Sequence, residues 1–178
     1  MFVTAPLTQG SLFLHLDKNN FIVYNLIVLT KRGNIMTDKY SALKLEKQLC
    51  FPLYACSKEV VRRYKPFLDK LDLTYTQYIT MMVMWDKKTI NVKDLGDCLF
   101  LDSGTLTPLL KKLEAKGYIT RERSKTDERN LIVSITEKGD ALKDDAVEVP
   151  MQMIKCVNLT PEESKTLYTL LYKLLGEE

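Results

Sequence analysis

Four cysteines, Cys50, Cys56, Cys98 and Cys156, and a single histidine, His15, set limits on the chemistry this chain can do. The cysteines lack the close pairing of a zinc site and the density of a secreted disulfide scaffold, so they read as reduced thiols of a cytoplasmic protein. One histidine, in an atypical N-terminal stretch, argues against a histidine-based hydrolase or a multi-histidine metal centre. Thiol chemistry remains. Pro52 has no amide hydrogen and is tolerated in a first helical turn, so a helix beginning near Cys50 would offer its sulfur the positive end of the helix dipole. Tyr54 lies four residues on and shares the face of Cys50. Tyr64 falls some ~21 Å further along at about 1.5 Å per residue, and cannot reach Cys50 of its own helix. A thiol reacts as thiolate, and only where a reagent can enter. Spacing leaves two readings open: a reactive thiol at a helix start, or the commoner small packed cysteine on an apolar helix.

The 178 residues, 46% of them hydrophobic, suffice for one domain with a core, or one domain and a terminal extension. Lys and Arg exceed Asp and Glu by 26 to 23. That balance does not announce nucleic acid, so any case for DNA must be local. Residues 1–35 carry few charges, and the apolar run from Phe21 to Leu29 is too short to span a bilayer. The layout of a secretory signal is missing as well, and no membrane association is expected. Residues 1–40 are expected to be an expression- or start-site-derived extension, with Met36 a second start; the alternative is a genuine extra strand or helix.

Apolar residues recur at helical spacing from Leu43 to about Leu71, through Leu49, Leu53, Val60, Tyr64 and Phe67. Thr74 and Gln77 form a capping box for a second helix, whose run from Ile79 to Trp85 is dense enough to be buried nearly all round. Asn91 caps a short helix carrying Val92, Leu95 and Leu99, and Asp102 or Ser103 caps the next, which stops at Gly117. The pattern then changes to period two: Ile119, Arg121 and Arg123 alternate against Thr120, Glu122 and Ser124, and Leu131, Val133 and Ile135 alternate on the return, giving a hairpin with a charged tip. Thr136 caps a helix running toward Pro150. Thr160, Pro161 and Glu163 start a last helix bearing Leu167, Leu170, Leu171 and Leu174.

Two short helices followed by a hairpin predict a winged helix-turn-helix, whose second helix enters a major groove. At about 100° per residue, Leu106, Leu109, Leu110 and Leu113 form one apolar stripe, and Gly104, Thr107, Pro108, Lys111 and Lys112 lie opposite. Small residues near the helix start suit close approach to base edges, and lysines further along suit phosphates. Ser103, Thr105, Thr107, Pro108, Lys111 and Lys112 are therefore candidate DNA contacts, the bland alternative being a solvated helix face. Arg121, Arg123, Lys125 and Arg129 cluster on the wing and join them, able to reach phosphates or a narrow minor groove. Asp127 is read as orienting the tip.

The runs LDSGTLTPLLKKLE from Leu101 to Glu114, DERN from Asp127 to Asn130 and ITEKG from Ile135 to Gly139 resemble repressors of the MarR family, and the resemblance covers Leu45 to Gly139. Leu49, Cys50 and Phe51, with Tyr54, Tyr64 and Tyr75, resemble its organic-hydroperoxide-sensing branch, OhrR. The resemblance implies a mainly α fold with a small β-hairpin wing and a helical dimerisation region. It implies a homodimer on double-stranded operator DNA, released when an organic hydroperoxide oxidises Cys50. Tyr54 and, from the other subunit, Tyr64 would hydrogen-bond the thiol, with Tyr75 carried over more loosely. The resemblance implies that the oxidised cysteine then forms a disulfide with a small thiol or with a second cysteine near the C-terminus, for which Cys156 is the candidate. Cys56 and Cys98 match no sensing position and are expected to be packing residues. Residues 41–72 would be the first long helix, for dimerisation and sensing, 73–136 the DNA-binding region and 137–178 the C-terminal dimerisation helices. No cofactor or enzymatic activity is expected. The rivals are a repressor of the same family released by a small phenolic ligand, and a thiol peroxidase, which the lack of a recognisable peroxidase motif disfavours.

Overall fold

The computed structural model describes residues 40–124 and 130–176. Residues 1–35 with His15, and the wing-tip residues Lys125, Asp127 and Arg129, lie outside the described residues. Short 3-10 turns at Ser41–Leu43 and Leu45–Lys47 precede helix α1, Cys50–Leu68. Leu43 and Leu49, read from sequence as part of the helical repeat, thus fall before the helix. A further 3-10 turn at Asp69–Leu71 leads to α2, Tyr75–Lys87, then strand β1, Thr89–Asn91. Helices α3, Val92–Leu99, and α4, Ser103–Ala115, follow in tandem, then β2, Ile119–Arg123, and β3, Leu131–Ile135. Three helices close the order: α5, Glu137–Ala146, α6, Glu148–Ile154, and α7, Pro161–Leu175.

Local chemistry sets these boundaries. The capping box at α2 is formed: the Gln77 amide donates to Thr74 Oγ1 at 3.4 Å, and Gln77 Oε1 accepts from the Thr74 amide at 3.0 Å. Asn91 Oδ1 accepts from the Asp94 amide at 2.8 Å, Asp102 Oδ1 from the Thr105 amide at 2.9 Å and Thr136 Oγ1 from the Gly139 amide at 3.0 Å. Each cap satisfies one of the donors a helix start leaves unpaired. After α4, Gly117 takes a φ of 76°, the left-handed geometry that turns the chain out of the helix toward β2.

Three expectations are corrected. The wing hairpin is two strands of a three-stranded antiparallel sheet with β3 central, because β1 pairs with β3 through Thr89 with Ser134, Ile90 with Val133 and Asn91 with Ile132. The helix expected to run toward Pro150 ends at Ala146 and restarts at Glu148. Pro150 has no N–H to give the carbonyl four residues back, which is that of Ala146, and its ring crowds it. On α2, Met82 is 46% exposed, so the run from Ile79 to Trp85 is not buried all round.

The chain divides into two compact bodies. The body of residues 55–160 holds the core: Leu68, Met81, Met84, Leu95, Leu106, Leu110, Leu113, Ile119 and Val133 are all essentially without solvent contact. Each buried aliphatic side chain of this size contributes about 1.5–3 kcal/mol relative to exposure. The other body, within the described residues, comprises 40–54 and 161–176, and no residue of α7 is buried.

At Gly139 the start of α5 presses on the base of the wing. Trp85 Nε1 donates to the Gly139 carbonyl at 2.8 Å, and a Cβ at Gly139 would be driven into the Tyr118 carbonyl oxygen. Gly139→Ala is expected to destabilise the protein by about 3 kcal/mol. Urea denaturation checks this, with a lowered midpoint at unchanged slope as the expected result.

Candidate nucleic-acid interface and thiol site

Helix α4 is oriented by its leucines. Leu106, Leu109, Leu110 and Leu113 are buried, which turns Ser103, Gly104, Thr105, Thr107, Pro108, Lys111 and Lys112 outward, and all seven are exposed. The faces assigned from angular spacing are those observed. Near the helix start the polar groups are ordered: Thr105 Oγ1 donates to Asp102 Oδ2 at 2.9 Å and Thr107 Oγ1 to the Ser103 carbonyl at 2.8 Å. The Thr105 amide and hydroxyl bonds hold the Asp102 carboxyl below the usual carboxylate range. Pro108 has no N–H to offer the Gly104 carbonyl, so the exposed first turns present a backbone acceptor beside small side chains. Such a surface can approach base edges closely, with two lysine ammonium groups one turn further on.

On the wing, the register pairs Ile119 with Ile135, Arg121 with Val133 and Arg123 with Leu131. Arg123 is exposed. Arg121 is placed differently from what the charge clustering suggested: its guanidinium turns back onto α4 and bonds Glu114. The other end of α4 is tied to the turn after α1, since Lys116 donates to both the carbonyl and the carboxylate of Asp72, the latter at 2.9 Å.

Cys50 is the first residue of α1, where backbone N–H groups lack intrahelical partners, and it is exposed. Phe51 and Tyr54 are exposed beside it on the first turns. Tyr64 and Tyr75 come together in the other body, with ring centroids 5.0 Å apart, and Tyr78 joins them at 6.0 Å from Tyr64. Burial raises the hydroxyl pKa of all three. Tyr78, which packs edge-on to Trp85 at 6.2 Å, was not singled out from sequence, although its three-residue spacing from Tyr75 was a signal for the shared face. Cys156 follows α6 and is half-buried; its Sγ lies 3.5 Å from the Gln152 carbonyl, and its own carbonyl accepts a bond from Arg63 of α1. Glu59 holds Arg63 at 2.9 Å, and its bonds to Arg62 and Arg63 lower its own carboxyl pKa to about 2. Cys56 and Cys98, expected to pack, are both exposed. A cavity of about 400 Å³ lies among Phe67, Lys70, Leu71, Asp145, Glu148, Val149 and Gln152.

A family model described as transcriptional regulator SarA/Rot matches residues 62–146. The chain is 48% identical over 140 residues to the organic hydroperoxide resistance transcriptional regulator of Bacillus subtilis (strain 168), covering 79% of this chain and 95% of that one. Among solved structures it is similar to AbfR of Staphylococcus epidermidis. The overoxidised form bound to DNA matches with a TM-score of 0.65 and 32% identity, over 78% of this chain and 98% of that chain. The disulfide-formed state matches with a TM-score of 0.54 and 30% identity, over 86% and 96%.

The cap of α4 carries a pH dependence of definite sign. Because its carboxyl pKa is lowered by folding, Asp102 contributes stability above its ordinary value and loses it as the pH falls through the lower folded one. The cap is therefore intact at neutral pH. Asp102→Asn, whose single amide oxygen can accept from the Thr105 amide but not also from its hydroxyl, is expected to lower the neutral-pH melting temperature less than Asp102→Ala, and both variants remove this share of the acid destabilisation. Thermal melts followed by circular dichroism across the acid range distinguish them.

Proposed function

We propose, for a chain that belongs to the MarR family of winged-helix transcriptional regulators and to its organic-hydroperoxide branch, that it is a repressor whose hold on operator DNA is broken by oxidation of Cys50. The DNA-binding part rests on the family and on the exposed face of α4. Ser103, Thr105, Thr107, Pro108, Lys111 and Lys112 meet the major groove, and Arg123, with Lys125 and Arg129 further along the wing, meets phosphates or the minor groove while Asp127 orients the tip. The protein acts as a homodimer, which spaces two such helices about 34–36 Å apart, one turn of duplex. The exposed Leu167, Leu170, Leu171 and Leu174 of α7, together with Val60 and Val61 of α1, support this, since a lone chain leaves these apolar faces in water.

One observation carries the sensing part: Cys50 stands exposed at the first position of α1 in a chain of this branch. The thiolate attacks the outer oxygen of an organic hydroperoxide, the O–O bond breaks, and an alcohol leaves while the sulfur becomes a sulfenic acid. The thiol of Cys156 then displaces water from that sulfenic acid, forming a disulfide. Tyr54, and Tyr64 from the second copy with Tyr75 beside it, hold the reduced sulfur through their hydroxyls. A bulkier or displaced sulfur cannot keep those contacts, and the two reading heads separate. The cavity at Phe67, Leu71 and Val149 favours a second reading, release by a small neutral phenolic ligand, because its volume of about 400 Å³ suits such a molecule.

Two measurements decide between these. In gel-shift assays cumene hydroperoxide is expected to release DNA from the unmodified protein but not from Cys50→Ser; release from the variant would end the thiol reading and leave the ligand one. On non-reducing gels after mild oxidation, a dimer-sized band is expected that disappears in both Cys50→Ser and Cys156→Ser. A band persisting without Cys156 removes that residue from the resolving role.

A further inference from the structure

Arg121 lies in β2 opposite Val133, two residues from the buried Ile119. Its side chain is only 17% exposed, against 37% for that of Glu114. Nη2 and Nε both donate to the same Glu114 oxygen, at 2.5 and 3.0 Å. Glu114 occupies the last turn of α4, where the negative end of the helix dipole disfavours an acid, so the partner across the turn is what makes a carboxylate favourable there. Arg121 holds that carboxyl below its usual range. A planar fork donating two hydrogen bonds fixes direction as well as distance, which a lysine at the same place would not.

We propose that Glu114 and Arg121 form a strut that sets the angle between the recognition helix and the wing, making Arg121 a positioning residue for DNA binding and not a phosphate contact. This rests on the DNA-binding part of the proposed function and is independent of the thiol chemistry. Between Ala115 and Ile119 the chain passes through one left-handed glycine, and beyond it the wing extends as a two-stranded lever. With the strut in place, a helix seated in the major groove presents the wing to the adjacent backbone at once, so the second contact is nearly intramolecular. Without it the wing samples other angles, and that advantage is diluted.

The two roles of Arg121 predict opposite signs for a change made at its partner. Removing a negative charge beside DNA should strengthen binding if Arg121 is thereby freed for a phosphate, and weaken it if the strut is lost. The test uses the full chain and a duplex selected by the unmodified protein from a random-sequence library, with affinity measured across about 50–200 mM salt. Glu114→Gln and Arg121→Gln are each expected to weaken binding about tenfold, the size of one lost charge-assisted interaction. The double variant should bind no worse than either single one, and all three should keep the unmodified salt slope. Lys111→Ala, as a control for a phosphate contact, should lower that slope by about one per subunit. Arg121→Lys keeps the charge but loses the fork, and should also bind more weakly. Circular dichroism checks that each variant keeps its helix content. Unchanged or tighter binding by Glu114→Gln, a slope lowered by about one per subunit in Arg121→Gln, or full affinity in Arg121→Lys each overturns the strut. Failure of the unmodified protein to select any duplex would instead overturn DNA binding itself.

Discussion

The contact at Gly139 is the constraint around which the DNA-reading body is assembled. A single carbonyl, that of Tyr118, accepts the Thr136 amide at 3.1 Å and leaves no room for a Cβ on Gly139, in the first turn of the next helix. Around it Thr136 Oγ1 donates to the Gly117 carbonyl at 2.6 Å, the Ile135 amide to the Lys88 carbonyl at 2.9 Å and the Trp85 indole to Gly139. The ends of α2 and α4, the base of the wing and the start of α5 therefore meet within a few ångströms. Removing any one of these elements would leave its bonding partners unpaired, at about 1–3 kcal/mol per group. Lys138 adds its ammonium 5.1 Å from the centre of the Tyr118 ring, closing the junction from outside.

From this junction the reading face follows. The four leucines of α4 can be buried only one way, and Gly117 can leave the helix only one way, so the orientation of Ser103 to Lys112 toward solvent is a by-product of packing. The wing is held along both edges of β3, which β1 and β2 flank, and the chain beyond that strand is anchored by Thr136. Lys116, clasping Asp72, links the end of α4 to the turn that ends α1, the helix whose first residue is Cys50. The helix that begins with the proposed sensor is thus covalently continuous with a turn that touches the recognition helix.

The two compact bodies differ in how far they are finished within one chain. Residues 55–160 bury a full core, while α7 buries none of its residues despite its leucines and the stacked Tyr168 and Tyr172, whose ring centroids are 4.5 Å apart. An amphipathic helix left so open is a surface awaiting a partner, and a second copy of the chain is the occupant the proposed function supplies.

Caps, helix faces and the wing hairpin were legible from residue order because they depend on groups within about a turn or a hairpin of one another. Thr74 with Gln77, Asn91, Asp102 and Thr136 cap where they were read, and the leucine stripe of α4 needed only the 3.6-residue period. The motifs also sufficed to place the chain in its family. What escaped was decided by groups distant in sequence or by a partner's demand. Three residues at Thr89–Asn91 carry too little pattern to show as a strand until β3 offers its free edge. A chemically ordinary Cys56 or Cys98 gives no sign of exposure, and Arg121 looks like any wing cation until folding brings Glu114 beside it. Local propensity acts through the backbone next door, whereas burial and ion pairing are settled only when the whole chain chooses which surfaces to hide.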